Sequence, residues 1–337
     1  MLFKSIPPLS PYSSIIIKKN ITDNYFFDSG RSALLTIINY LKIKHKSLVF
    51  LIPAYTCHSV LDVLIQSKVK YDFIDLSNDL NFDLVDLNEV IKKYEGKDIV
   101  LIATSLFGIE LKDYKKMYNN FIIIEDLAQS IIKSKNTNSD FQFISYGKGK
   151  LISSWNGGMV RTRYEDFREI YNKLDIQDDF FQSFILSNVQ KFISSYLWFL
   201  VEKSPLNPEK EKDIVECFIE PKRISKMKIN WILTSMNNIN NNNRINLSNK
   251  YLKVIKKEYL FDLKENIPYL RFPIKKKIKH NGVSHMDDYS LVYECARKQR
   301  KKDFIIPKAL ANNCSFLPTH DLVNESYIID ILGIINE

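Results

Sequence analysis

The sequence FIIIEDLAQS (residues 121–130) begins as an apolar run of strand length and ends in a polar turn that contains two acids. Similar short apolar runs recur between residues 27 and 160, where segments of helical period separate them. This alternation is typical of βαβ units, so it predicts an α/β fold with a mainly parallel sheet sandwiched by helices. The predicted strands are residues 48–52, 69–75, 98–104, 121–125, 141–145 and 158–162.

The alternation stops after these strands, which indicates a second part of the chain. A long helical stretch is predicted over residues 164–201, and a cluster of proline, serine and asparagine at 204–208 then breaks the helical pattern. We therefore predict a large domain over residues 1–200, with an N-terminal arm over about residues 1–26. A helical linker and a small C-terminal α+β domain are predicted over residues 201–337.

The composition is that of an ordinary folded chain and excludes several classes of protein. The chain has 337 residues, of which 48 are Lys or Arg and 39 are Asp or Glu, so its net charge is +9. The basic residues are spread along the chain, which argues against a nucleic-acid partner. Neither the four cysteines nor the five histidines have metal or disulfide spacing.

Targeting signals are also missing from the sequence. The N-terminus lacks the apolar core of a signal peptide. The longest apolar stretch, residues 192–201, is about half of the ~20 residues that a membrane span requires. We therefore expect a cytoplasmic protein without a membrane span and without a metal.

A turn of small and hydroxyl residues precedes the first predicted helix. It reads DSGRS (residues 28–32) and brings Gly30, Arg31 and Ser32 to the start of that helix. Backbone N–H groups at a helix N-terminus attract anions, so the turn predicts an anion site. A plain N-cap by a serine or aspartate is the alternative interpretation.

Polar side chains follow another predicted strand at the point where the strand ends. Asp126 comes directly after the strand at 121–125, and Gln129 follows three residues later. Open α/β sheets bind ligands beyond the carboxyl ends of their strands, so both side chains are candidates for a buried ligand. A solvated acid at a strand end remains the alternative for Asp126.

The next predicted strand ends at Ser145 and is followed by YGKGK, which contains Lys148 and Lys150. The glycines do not form a nucleotide motif, because Ile152 occupies the last position of a dinucleotide fingerprint and Leu151 replaces the hydroxyl residue of a P-loop. A partly buried lysine at such a strand end can form a Schiff base. A surface charge is the alternative for each lysine.

Taken in this order, the stretches resemble the DegT/StrS family of pyridoxal-phosphate (PLP) enzymes, which are nucleotide-sugar aminotransferases of fold type I. The resemblance runs from about residue 27 to the C-terminus. EDLAQS and the spacing from Ser145 to Lys150 ahead of GGMV are its specific parts. The stretches that carry it are SGRSAL (29–34), PAYT (53–56), LFG (106–108), EDLAQS (125–130), SYGKGK (145–150), NGGMV (156–160) and LPTH (317–320).

The resemblance implies a role for each candidate residue. Lys150 is the lysine that forms the Schiff base with PLP and later carries the transferred proton, and Lys148 is its rival. Asp126 keeps the pyridine nitrogen protonated, and Gln129 lies near the phenolic oxygen of the cofactor. The residues that hold the phosphate are Gly30, Arg31, Ser32 and Ser145.

The sequence departs from the family pattern at several positions. Cys57 stands where the family often has an aromatic side chain on the cofactor ring, so we count Cys57 among the cofactor-binding residues. Ser105 replaces a histidine, Asn156 replaces an acid, and Pro221 replaces an asparagine that usually reaches the phosphate from the partner subunit. These changes concern substrate recognition and the contact between subunits more than cofactor binding.

The function that the resemblance implies is transfer of an amino group from L-glutamate to a keto group of a nucleotide-linked sugar, in surface-polysaccharide biosynthesis. It also implies a homodimer. Two alternatives stay open. The first is a PLP enzyme of the same fold that acts on a small keto phosphate or catalyses a dehydration, and the second is a non-catalytic dimeric relative.

Overall fold

The structure is a computed structural model that describes residues 24–130, 138–147, 149–192, 218–237, 241–280, 287–319 and 325–336, together with Val283 and Val323. Its described residues form a nine-stranded sheet in the order β3-β2-β4-β5-β6-β7-β1-β9-β8. The strands are β1 (Asn24–Phe27), β2 (Leu48–Pro53), β3 (Lys70–Ile74), β4 (Asp98–Thr104), β5 (Ile122–Asp126), β6 (Phe141–Ser145), β7 (Gly158–Thr162), β8 (Ile176–Gln177) and β9 (Arg223–Ile224).

The sheet is mainly parallel, as predicted. Strands β2 to β6 pair in parallel, while β7 pairs antiparallel with both β6 and β1. Three predicted strands, at 98–104, 141–145 and 158–162, have the observed bounds. The strand predicted at 48–52 differs from β2 by one residue at one end, and those predicted at 69–75 and 121–125 differ from β3 and β5 by one residue at each end.

Helices cover both faces of this sheet, which explains why strands such as β2 and β4 contain runs of consecutive apolar residues. Phe50 and Ile124 belong to a core that they share with α1, whereas their neighbours Leu51 and Ile123 belong to a core shared with α3. The predicted helix-sandwiched α/β fold is therefore confirmed. The helices of this part are α1 (Gly30–Lys44), α2 (His58–Gln66), α3 (Leu84–Lys93), α4 (Tyr114–Met117), α5 (Phe167–Asn172) and α6 (Phe180–Phe192).

The continuous helix predicted over residues 164–201 is wrong within the described residues. It is broken between α5 and α6, where β8 forms and pairs with β9. The backbone N–H of Arg223 also donates to Asp175 O at 2.8 Å, so this segment gives its hydrogen bonds to the sheet edge instead of to a helix. The part of the prediction at 193–201 lies outside the described residues.

The C-terminal part combines helices with a second, small sheet. Strands β10 (Arg271–Ile274) and β11 (Ser315–Pro318) pair antiparallel in it. The helices are α7 (Lys226–Asn237), α8 (Asn242–Val254), α9 (Asp287–Arg300), α10 (Ile305–Asn312) and α11 (Glu325–Asn336). Because β9 joins the large sheet and residues 193–217 are not described, the division near residue 200 stays a prediction.

A half-buried ion-pair group fastens this C-terminal part to the large sheet. Arg300 Nη2 donates to Asp86 Oδ1 at 2.9 Å, and Lys302 Nζ reaches the same oxygen. Arg300 also donates to the carbonyl of Phe73 in β3.

In the portion of the chain that the structure covers, no helix is both long and apolar enough to cross a membrane.

Candidate active site

A cavity lies where β5, β6 and the start of α1 meet, at the carboxyl ends of the parallel strands. Its volume is about 270 Å³, near the lower end of the roughly 300–1,000 Å³ that is usual for small-molecule sites. Most of the residues predicted from the sequence come together in its walls. These are Gly30, Arg31, Cys57, Asp126, Ser145 and Lys150.

The start of α1 forms one end of the cavity. Ser29 is the N-cap, and its hydroxyl accepts a hydrogen bond from Ser32 N at 3.1 Å. The Ser32 hydroxyl lies 2.9 Å from Ser29 Oγ and is fully buried, so Ser32 takes part in the cap and does not line the cavity. The first turn contains no acid, so its N–H groups and Arg31 present positive potential to the cavity.

Glycines allow this helix end to approach the strands closely. A Cβ on Gly30 would lie 2.9 Å from Ser145 Cβ, and a Cβ on Gly158 would lie 2.3 Å from Ser29 O. Real Cβ atoms do not come so near to other heavy atoms. The two glycines are therefore required for the contact between α1, β6 and β7.

Gly158→Ala is expected to lower the free energy of unfolding by about 3 kcal/mol, because the new methyl group meets backbone atoms of Ser29 and Gly30 that cannot move aside. Urea denaturation would measure the change. Gly333→Ala is the matched control, since a Cβ there meets nothing within 4 Å and the residue lies within α11. Equal stability of Gly158→Ala and the wild type would contradict the prediction.

Asp126 ends β5 and is buried in the cavity wall, with 3% of its surface exposed. Its Oδ1 accepts a hydrogen bond from Ala128 N at 2.9 Å. Burial raises the pKa of this carboxyl to about 6, although the hydrogen bonds from Ala128 and Thr104 and the charge on Lys150 act in the opposite direction. A cation bound against this carboxylate would offset part of the cost of burying its charge.

Cys57 lies directly before α2, and His58 is the first residue of that helix. Burial acts to raise the pKa of the Cys57 thiol, but the hydrogen bond with His58 and the charge on Lys150 outweigh it and the pKa is lowered. His58 Nε2 lies 3.8 Å from Asp62 Oδ2. The imidazole therefore faces its own helix as well as Cys57.

Gln129 is buried beside the cavity instead of lining it. Its Oε1 accepts a hydrogen bond from Phe107 N at 3.0 Å, and its Nε2 donates to the Tyr289 hydroxyl. Phe107 has a left-handed φ of 58°, which stores backbone strain beside the site. The LFG stretch is thus a strained turn that Gln129 holds in place.

Tyr289 belongs to α9, so the C-terminal part reaches the site. Sequence reasoning missed it, because no motif surrounds this tyrosine. Burial raises the pKa of Tyr289 well above its usual value, so the hydroxyl stays protonated, and its oxygen accepts the hydrogen bond from Gln129 Nε2. Tyr289 and Gln129 are 160 residues apart, so no local sequence pattern indicates their contact.

The remaining predicted positions have different outcomes. Ser105 is buried and its hydroxyl donates to Ile109 O, so it closes the strained turn. Asn156 lines the cavity, and Pro221 lies just before β9. Lys148 and His320 lie outside the described residues. Among the residues that the structure does describe, no group of His, Cys, Asp and Glu could hold a metal ion.

Comparisons with known proteins identify structures of the same fold. No protein-family model matches the sequence, and no curated protein matches it either. Among solved structures, the chain is similar to PseC of Helicobacter pylori, an aminotransferase involved in the biosynthesis of pseudaminic acid. The TM-score is 0.69 at 14% identity, with 100% of this chain and 98% of PseC covered.

Two further solved structures extend this group. A DegT DnrJ EryC1 StrS aminotransferase from Brucella abortus has a TM-score of 0.63 at 17% identity, with 93% of this chain and 85% of that chain covered. A GDP-4-keto-6-deoxymannose-3-dehydratase with a trapped PLP-glutamate adduct has a TM-score of 0.65 at 17% identity, with 93% and 88% covered. The chain therefore has the fold of these aminotransferases and of this dehydratase, as its resemblance to PLP enzymes of fold type I predicted.

Proposed function

We propose that this protein is a PLP-dependent aminotransferase that transfers an amino group from L-glutamate to a keto group of a nucleotide-linked sugar, in surface-polysaccharide biosynthesis. The observation that supports the proposal is a single cavity whose walls contain Lys150, Asp126 and the first turn of α1. The fold of sugar aminotransferases supports it as well.

The chemistry of the cavity walls fits PLP. Lys150 offers an amine for the aldehyde, and the buried carboxylate of Asp126 offers a partner for a protonated ring nitrogen. The N–H groups at the start of α1, together with Arg31 and Ser145, offer donors for the phosphate. The contact at Gly30, which leaves no room for a Cβ, brings the α1 donors and the Ser145 hydroxyl to the same end of the cavity.

Each residue then has a definite task. When bound, PLP supplies an aldehyde that captures amines and a ring that withdraws electrons from the substrate carbon. Lys150 Nζ takes the proton from the α-carbon of the amino donor and later returns a proton to the product. The Asp126 carboxylate holds a proton at the ring nitrogen, while the α1 turn and the Ser145 hydroxyl bind the phosphate oxygens.

An absorbance spectrum of the purified protein tests the proposal. We expect a band of lysine-bound PLP that L-glutamate converts to the spectrum of pyridoxamine phosphate. Borohydride reduction before proteolysis should leave the added mass on Lys150. A protein without the band after addition of PLP would contradict the proposal and would favour a non-catalytic relative.

A dehydration on the same fold is the second candidate, because a sugar dehydratase is among the similar structures. The resemblance implies that such dehydratases replace the lysine, whereas this chain has Lys150 in the cavity. A small keto phosphate is the alternative acceptor. The fate of the nitrogen from L-glutamate distinguishes the two reactions. An amino sugar nucleotide that carries this nitrogen would establish transfer, whereas a deoxygenated keto sugar with release of ammonia would establish dehydration.

We also propose that the protein is cytoplasmic and that it forms a homodimer. The homodimer is proposed because enzymes that the sequence resembles complete their sites with a partner subunit. Light scattering at micromolar concentration tests this point. A monomer that still binds PLP would contradict the proposed homodimer and would leave the proposed cofactor standing.

A further inference from the structure

A charged cluster is buried against the wall of the cavity. Lys228 Nζ, from α7, lies 2.8 Å from both carboxylate oxygens of Asp179 and 2.9 Å from Ser183 Oγ. It also donates to Asn156 Oδ1. The Lys228 side chain is fully buried and that of Asp179 is 11% exposed. We call Asn156, Asp179, Ser183 and Lys228 the Lys228 cluster.

The cluster fixes the side chain of Asn156, which is a wall residue of the cavity. Asn156 Nδ2 donates to Asp179 Oδ2 at 3.0 Å, while Asn156 Oδ1 accepts from Lys228 and lies 3.2 Å from Ser183 Oγ. Both ends of the amide are thus engaged, and the donors and acceptors permit only one orientation of the amide. The wall at this point is therefore held by charge-assisted hydrogen bonds.

The chain leads directly from Asn156 to the end of the cavity formed by α1. Gly157 forms an isolated bridge with Ser29, and Gly158 abuts the Ser29 carbonyl and Gly30 N so closely that no Cβ fits. A shift of Asn156 would therefore be transmitted to the N-cap and first turn of α1. That turn carries the N–H groups that face the cavity.

A buried ion pair of this kind does little for stability by itself. Taking both charges out of water costs about as much as their attraction returns, so a neutral replacement of the whole pair is often tolerated. Removal of one partner alone is different, since it leaves an unpaired buried charge. The cluster is thus better explained by the geometry that it imposes on Asn156 than by a contribution to folding.

We infer that Lys228 and Asp179 are positioning residues for the phosphate end of the cavity, where they hold Asn156 and thereby set the start of α1 for a phosphate group. The inference rests on the proposed function, because PLP is the phosphate ligand in question. The inference predicts a selective loss of affinity. Loss of the cluster should weaken binding of a phosphorylated ligand and leave binding of the same ring without phosphate nearly unchanged.

The test compares PLP with pyridoxal, which lacks the phosphate. The variant is Lys228→Met combined with Asp179→Asn, which removes both charges together and avoids an unpaired one. We expect the dissociation constant of PLP to rise about tenfold more than that of pyridoxal. The urea midpoint of the cofactor-free protein should stay near that of the wild type. In contrast to the double variant, Lys228→Met alone should also lower the urea midpoint, because it leaves the buried Asp179 carboxylate unpaired.

The matched control removes another ion pair with a buried acid, far from the cavity. Lys93 Nζ lies 2.8 Å from Asp72 Oδ2, and the Asp72 side chain is fully buried in β3 at the opposite edge of the sheet. Lys93→Met combined with Asp72→Asn should leave the ratio of the two dissociation constants as in the wild type.

The outcomes separate the inference from the proposed function. If the wild type binds PLP and the cluster variant loses PLP and pyridoxal in parallel, or loses neither, the positioning role is overturned while the proposed function stands. If the wild type itself fails to bind PLP, both are overturned. A changed ratio in the cluster variant alone supports the inference.

Discussion

Lys150→Ala should abolish the absorbance of lysine-bound PLP and lower the rate of amino transfer by about 10⁴-fold or more. Lys150 lies in the cavity wall together with Asp126 and Ser145. Under the proposed function, its replacement would remove both the covalent attachment of PLP and the group that moves the proton. A loss of this size corresponds to about 5 kcal/mol of transition-state stabilisation.

The neighbouring lysine provides the control for this prediction. Lys148→Ala changes the same glycine-rich stretch and the same charge, but it should leave the spectrum and the single-turnover rate with glutamate close to those of the wild type. Stopped-flow absorbance measures both variants. If Lys148→Ala loses the band and Lys150→Ala retains it, the assignment of the two lysines is reversed.

Asp126→Asn should have opposite effects on catalysis and on stability. Amino transfer is expected to fall about 10²- to 10³-fold, because a neutral amide no longer holds the ring nitrogen protonated. The cofactor-free variant should nevertheless be more stable than the wild type at pH 7. Burial of the carboxylate without a bound cation is costly, and asparagine keeps the acceptor for Ala128 N.

The direction of this stability effect follows from the pKa of Asp126. The pKa is about 6 in the folded protein and 3.8 in the reference state, so between these values the folded protein holds a proton that the unfolded chain has lost. The free energy of unfolding of the wild type therefore decreases as the pH rises from about 4 to 6, and the cost at neutral pH is about 3 kcal/mol.

Urea denaturation of both cofactor-free proteins between pH 4 and pH 8 measures the effect. The advantage of Asp126→Asn should be absent at pH 4 and reach its full size near pH 7. Saturation with PLP should remove it, because the ring nitrogen then stabilises the carboxylate of the wild type. An advantage that is equal at all pH values would contradict the assigned pKa.

Local sequence accounts for the strands and for the polar ends of the cavity. The run at 98–104 is apolar at each position from Ile99 to Ala103, as expected for a strand covered on both faces. The run at 141–145 ends at Ser145, and the direction of the chain places this side chain at the carboxyl end of the strand. The N-cap at Ser29 and the acid at Asp126 are fixed by the same local signals.

Other parts of the site depend on contacts between distant residues and could not be predicted. Lys228 and Asn156 are separated by 72 residues, and their pairing requires β9 to return to the large sheet. The break between α5 and α6 has the same origin, since the helical period of that stretch continues while the pairing of β8 with β9 overrides it.

The position of β9 also determines when the nascent protein can acquire a ligand. Strand β1, which leads into α1, is synthesised before the other strands described, yet one of its two neighbours in the sheet is β9. Asp179 is likewise synthesised before Lys228, with which it forms an ion pair. Chains fold as they are synthesised, from the N-terminus onward. The start of α1 can therefore be fixed from both sides only after α7 has been synthesised. We expect the cavity to become ready for a ligand late in synthesis, after most of the large sheet has formed.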